Sequence, residues 1–270
     1  ALLAEGLCIF CNSSQQLGCR WLMEFSGLVE VPASLFMEAC AEADDGDASK
    51  FQALIEAHDF STARVGNASL LHAAVSLSSP AALRSLLQEA RKRKGGLLDA
   101  LGLNALDSQG YAPLHAAAAV GAAECIELLV QAGAELQGLT DDAEFKLPSA
   151  RTSIYSEGGR SALHVAVENC HADALQALLS AGAPSDLYDS FGMTARDLFL
   201  ESLAGAEIGP SRRLIAELLH VNSDQLSEAS TRSLAESLAR RKGRIEVVKQ
   251  RLQSGRKPTF PLQLPAGYCA

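Results

Sequence analysis

The stretch Gly110-Tyr111-Ala112-Pro113-Leu114-His115-Ala116-Ala117, followed at fixed offsets by Glu127-Leu128-Leu129 and Ala132-Gly133-Ala134, decides the fold. It recurs as Gly159-Arg160-Ser161-Ala162-Leu163-His164-Val165-Ala166, with Leu178-Leu179 and Ala181-Gly182-Ala183 behind it. From each His to the second Leu of the pair is 14 or 15 residues. A self-similar unit of about thirty residues predicts a stacked solenoid in which neighbouring units jointly bury one core. That turns the functional question from chemistry toward binding.

Each piece of the unit has a physical reason. Asp107 and Gly110, three apart, suit a tight turn, because Asp accepts backbone bonds and Gly tolerates positive φ. Pro113 fits the first turn of a helix, where its missing N–H costs little. Leu114, Ala117 and Ala118 are expected to face the core from that helix, and Ile126, Leu128 and Leu129 from the next, which Gly133 ends. An earlier copy runs Asn67-Ala68-Ser69-Leu70-Leu71-His72-Ala73-Ala74 to Leu86-Leu87. A fourth begins at Asp189-Ser190-Phe191-Gly192-Met193-Thr194, with its second helix expected over 212–219. Residues 34–43 and 48–57 read as a degenerate first helix pair that caps the stack.

The pattern Gly-x-Thr-Pro-Leu-His-x-Ala-Ala, then Leu-Leu-x-x-Gly-Ala, resembles ankyrin repeats, whose spacing is about 33 residues. The resemblance implies an all-α, ankyrin-type helical solenoid of helix-turn-helix repeats with hairpin loops. It covers residues 34–220, as a cap plus about four repeats. Around it the chain divides into an N-terminal segment (1–33), a basic helical segment (221–257) and a Pro-rich tail (258–270). The sequence departs from the pattern in places. The Thr position holds Ser69, Ala112 or Ser161, so the Thr–His hydrogen bond is lost at Ala112. His72 to His115 is 43 residues and His115 to His164 is 49, which places insertions near 88–104 and 137–158. Such insertions project from one face of a solenoid, as functional loops or as passive decoration.

Composition agrees with closely packed short helices: 48% of residues are hydrophobic, only 5% aromatic, and Trp21 is the single tryptophan. No apolar run reaches the roughly 18 residues of a membrane span. Seven scattered cysteines argue against a disulfide framework and for a reducing, intracellular setting, with the cytoplasm the expected location. The net charge of −9 disfavours nonspecific nucleic-acid binding. Yet residues 231–257 hold nine Lys/Arg against two Asp/Glu, a local +7 that leaves −16 on the rest.

Several side chains invite a chemical reading. His72, His115 and His164 occupy equivalent repeat positions and read as structural, each imidazole bonding backbone in its own turn. His171-x-Asp173, with His220, has the spacing of a facial-triad iron site, but it falls at a repeat loop opening a helix. Cys8-x-x-Cys11, with Cys19, lacks a fourth ligand at zinc spacing. Asp44-Asp45-Gly46-Asp47 reads as a solvated turn and cap. No Gly-rich phosphate loop or Gly-x-Ser-x-Gly elbow is present. The expectation is therefore no enzyme, no catalytic or metal site, no cofactor and no small-molecule substrate.

Two amphipathic helical patterns follow over 226–252, one carrying Leu234 and Leu238, the other Ile245, Val248 and Leu252, separated by Arg240-Arg241-Lys242-Gly243-Arg244. They suit either an acidic partner or membrane surface, or a helix pair covering the last repeat with its charges in water. The latter is the preferred reading.

The function expected is a protein-binding module, a scaffold or adaptor whose partner lies in a concave groove and against hairpin tips. The alternative is the recruitment arm of a larger enzyme or signalling protein, motivated by the missing initiator Met and the Pro-rich end. By motif register the groove positions are Ala73, Ser76 and Leu77; Ala116, Ala119 and Val120; and Val165, Glu168 and Asn169. Tip positions are Asp107, Ser108 and Gln109; Tyr155, Ser156 and Glu157; and Asp189, Ser190 and Phe191.

Overall fold

In the repeat around His115, the Asp107 carboxylate accepts the Tyr111 amide at 2.9 Å, and Gly110 turns the chain at φ +75°. Gly110 has a second reason to be glycine: a Cβ there would lie 2.5 Å from the Asp141 carbonyl oxygen. Pro113 then opens a helix at its first position. The computed structural model describes residues 29–58, 63–65, 68–92, 102–108, 110–146 and 153–254. Within them this turn–helix–helix unit is repeated.

Helices succeed one another in pairs: α1 (Ala33–Asp44) and α2 (Ser49–Ala57), α3 (Leu70–Ser76) and α4 (Pro80–Lys92), α5 (Pro113–Val120) and α6 (Ala123–Gln131). There follow α7 (Ala162–Glu168) and α8 (Ala172–Ser180), α9 (Ala195–Ser202) and α10 (Pro210–Leu218), then α11 (Ser223–Thr231) and α12 (Leu234–Ser254). The odd helices α3, α5, α7 and α9 pack side by side as an inner layer. The even helices α4, α6, α8 and α10 form an outer layer. Both α1 and α2 pack on α4 and close the first end, where Phe36 and Phe51 meet edge to face at 5.7 Å. The last outer helix starts at Pro210, earlier than the sequence pattern placed it, because Pro is well suited to a first helical position.

The connections carry short strands. β1 (Val29–Glu30) runs parallel to β2 (Ala63–Val65), which pairs antiparallel with β3 (Ala68–Ser69). The longer insertion is a β-finger: β4 (Ala143–Lys146) pairs antiparallel with β5 (Ser153–Ser156), Ala143 opposite Ser156 and Lys146 opposite Ser153. The core lies between the two helix layers. Leu114, Ala117, Ala118, Ile126 and Leu129 are buried there as expected, while Leu128 is half-buried at its edge.

Three histidines join the units. The ring Nε2 of His72 bonds the Tyr111 carbonyl at 2.9 Å, that of His115 the Gly138 carbonyl at 3.0 Å, and that of His164 the Met193 carbonyl at 3.0 Å. A carbonyl only accepts, so each ring carries its proton on Nε2 and presents a bare Nδ1. The Ser69 hydroxyl donates to that nitrogen in His72 at 2.7 Å, and the Ser161 hydroxyl in His164 at 2.8 Å. The Ser161 amide also donates to His164 at 3.2 Å, and at His115, where Ala112 has no hydroxyl, the equivalent amide bond at 3.2 Å remains. The sequence reading confined each ring to its own turn. The structure shows that each also reaches the following repeat.

Burial pushes the His115 imidazole down to about 4, against the carbonyl bonds that favour its proton. His72 and His164 are lowered for the same reason. A folded-state pKa below the unfolded value means that acid favours unfolding. The contribution of these rings is complete above about pH 6.5 and is lost as pH falls through the folded values. Urea denaturation should show His115 alone removing about 2 kcal/mol between pH 7 and pH 5. A His115→Ala chain should be less stable at pH 7 yet show a shallower slope over that range.

The turn between inner and outer helices needs a left-handed residue. Gly121 supplies it between α5 and α6 at φ +82°, but Ser78 and Cys170 hold the equivalent places at φ +53° and +58°. A side chain there is strained. Cys170→Gly should therefore raise stability by about 1 kcal/mol in thermal or urea melts. Gly121→Ala should lower it by more than that, because its Cβ would stand 2.7 Å from Nδ1 of His171.

Candidate functional site

Where inner helices lie against one another, the residue after each fastening histidine falls between them. Ala73, Ala116 and Val165 are accordingly buried members of the core, which corrects their placement on an accessible groove. Three and four residues further along, the helices clear their neighbours: Ser76 is exposed, Leu77 and Ala119 half-buried, and Val120 41% exposed. Asn169 is exposed, its side-chain amide donating to the Val165 carbonyl at 2.9 Å. Among the tip positions Ser108 is exposed and Asp107 half-buried, occupied with its own turn. Gln109 lies outside the described residues, and Tyr155 and Ser156 sit on β5 opposite Glu144 and Ala143.

The remaining expected contacts, Glu157, Glu168, Asp189, Ser190 and Phe191, are drawn into one cluster. Asp189 fastens its own turn, accepting the amides of Phe191 and Met193 at 2.8 and 2.9 Å, and is buried. Arg160, itself buried, donates to Glu157 at 2.6 Å and also to Glu168. Burial pulls against the Arg160 charge, but Glu168 and Glu157 outweigh it and hold its pKa above the ordinary value.

Over this cluster lies α12. It is one helix through Gly243, where the sequence pattern suggested two; Arg241 and Lys242 stay in water, but Arg244 and Arg251 are covered. Its contacts progress along the inner layer: Leu234 beside Gly205, Ser237 donating to the Glu201 carbonyl, Arg241 against Glu168 at 3.3 Å. Arg244 bridges Glu201 at 2.8 Å and Glu157 at 3.2 Å, and Arg251 reaches Asp142 at 2.8 Å and the Ser190 hydroxyl at 3.3 Å. The Phe191 ring is covered by both guanidiniums, at 5.9 Å for Arg244 and 5.1 Å for Arg251. The side chains of Arg244 and Glu157 are only 8% and 4% exposed. Burial lowers the Arg244 pKa, yet Glu201 and Glu157 raise it beyond the ordinary value. For Asp142 burial dominates: its pKa is raised despite the Gly158 amide and Arg251.

Nothing in this arrangement resembles a reaction centre. His171 is a further fastener, its Nε2 bonding the Ala119 carbonyl at 3.1 Å, with its ring against Gly121. Among the described residues no group of three or more His, Cys, Asp and Glu could hold a metal ion. Burial pushes the thiols of Cys40 and Cys125 up to about 12 and about 11, far from a reactive thiolate. The Cys8–Cys11 motif lies outside the described residues. No described helix is long and apolar enough to cross a membrane.

A family model of three ankyrin repeats matches residues 36–140, and a single ankyrin repeat matches residues 158–190. The chain belongs to the ankyrin repeat family. The chain is 38% identical over 79 residues to the mouse ankyrin repeat and SOCS box protein 14. That match takes in 29% of this chain and 12% of the mouse protein. Ankyrin repeats are generally protein-interaction modules and typically non-catalytic.

Sequence reasoning missed the arginine cluster over these repeats, although the +7 against −16 division of charge was its visible signature. Removing Arg160 would take the nearest cation from buried Glu157 and half-buried Glu168, leaving them only the longer contacts to Arg244 and Arg241. Arg160→Ala should therefore cost about 3–5 kcal/mol in urea denaturation. Lys50→Ala, which deletes an exposed pair with Glu38 and Glu42, should leave the midpoint nearly where it was.

Proposed function

We propose that this ankyrin chain is a non-catalytic scaffold or adaptor that holds a partner protein on its inner face. The reading rests on one observation: Val120, 41% exposed, and half-buried Leu77 stand at the ends of α5 and α3, which pack side by side. Together with Ser76, Ala119 and the turn residue Ser108 they offer small apolar and hydroxyl surface, suited to apolar anchors on a partner segment. The placement of these residues at repeat-equivalent positions supports a surface that tracks along the stack.

The experiment compares tagged full-length chain with a Val120→Arg variant of unchanged melting temperature, in quantitative capture from cell extract. At least one captured protein should fall about tenfold or more in the variant, the equivalent of about 1.4 kcal/mol. Identical captured sets would remove the inner face from the reading.

A further inference from the structure

We infer that the acidic end of the inner face is a receptor for an arginine-bearing helix, and that α12 is its intramolecular occupant. The inference deepens the binding reading above by naming the partner class: an amphipathic helix with arginines seven residues apart, which must displace α12 to bind.

Part of the receptor is held by contacts that do not involve α12. Arg160, buried beneath the surface, grips Glu157 and Glu168 and fixes their carboxylates. Glu201 and Asp142 extend the acidic patch on either side, and Phe191 gives it an aromatic floor. Onto this patch α12 brings Arg244 and Arg251, two helical turns apart and so on one face. Guanidinium suits both parts of the patch, since it forks onto carboxylates and stacks on a ring.

The attachment is mainly ionic. Of the apolar side chains α12 carries, Val248 is fully buried and Ile245 and Leu252 are half-buried, whereas Leu234, Leu238 and Val247 remain 53%, 57% and 39% exposed. A helix that served only to complete the core would turn such a stripe inward. What holds α12, six Lys/Arg against two Glu, is a charge match to the acidic repeats, and such a match weakens with salt where it is exposed. A tethered occupant competes through its effective concentration, which short links raise to the millimolar range. A free helix of the same chemistry must therefore meet that competition.

The test uses the full chain and a fluorescein-labelled peptide of residues 232–254, followed by anisotropy. Wild-type chain should bind the peptide weakly. A full-length Arg244→Ala/Arg251→Ala chain, whose own helix is loosened, should bind it at least tenfold more tightly. Adding Glu157→Gln and Glu201→Gln to that chain should abolish the gain. Equal affinity of wild type and the arginine variant would overturn the inference, as would a gain that survives the glutamine substitutions. Hydrogen exchange on wild-type chain needs no variant: excess peptide should speed exchange across residues 234–254 while α7 and α9 stay protected. Unchanged exchange in α12 at peptide saturation would equally overturn it. Neither result bears on Val120, so the broader binding reading stands or falls separately.

Discussion

Everything in this stack depends on a neutral imidazole that bonds in two directions. Nδ1 accepts from the start of its own inner helix, and Nε2–H donates to the backbone of the next turn. The bond to the next turn spans 39 residues at His72, 23 at His115 and 29 at His164. Each unit thus supplies one acceptor to the unit before it, and no unit can satisfy its own ring alone. This is the hydrogen-bonding form of the dependence between neighbours that defines solenoids. It tolerates variation on one side only: Ala112 lacks the hydroxyl of Ser69 and Ser161, yet the amide bond that Ser161 also makes remains there, whereas nothing replaces the carbonyl of the following turn.

The repeat fold was legible because its causes are local. A turn Asp, a left-handed Gly, a helix-opening Pro and a paired Leu act within one unit, so spacing alone exposes them. The inner surface was only half legible. Motif register gives the helix face of a residue but not the separation of neighbouring helices, and that separation decides whether Ala73, Ala116 and Val165 are covered. The β-finger was read as a polar insertion because its strands are short and its pairing contributes little periodicity. The arginine contacts were the least legible part: Arg244 meets Glu157 across 87 residues and Arg251 meets Asp142 across 109.

Charge explains why α12 remains one helix. Gly243 in a helix interior costs about 1 kcal/mol relative to Ala. Its neighbours on both sides are held by carboxylates: Arg241 by Glu168, and Arg240 and Arg244 by Glu201. Those pairs fix the backbone across the glycine, so the break that composition suggested does not occur. Arginine also explains how such charge is tolerated at low exposure. Its proton is not lost under any ordinary condition, so burial cannot neutralise it and carboxylates must gather around it.

The direction of α12 has a topological consequence. Here the last described turn, around Ser254, lies next to Arg251 and therefore beside Asp142 at the base of the β4–β5 finger. Helix α12 returns from α11 toward the middle of the array. Helix α12 thus carries its C-terminal turn to the β4–β5 finger, between the second and third of the fastened units.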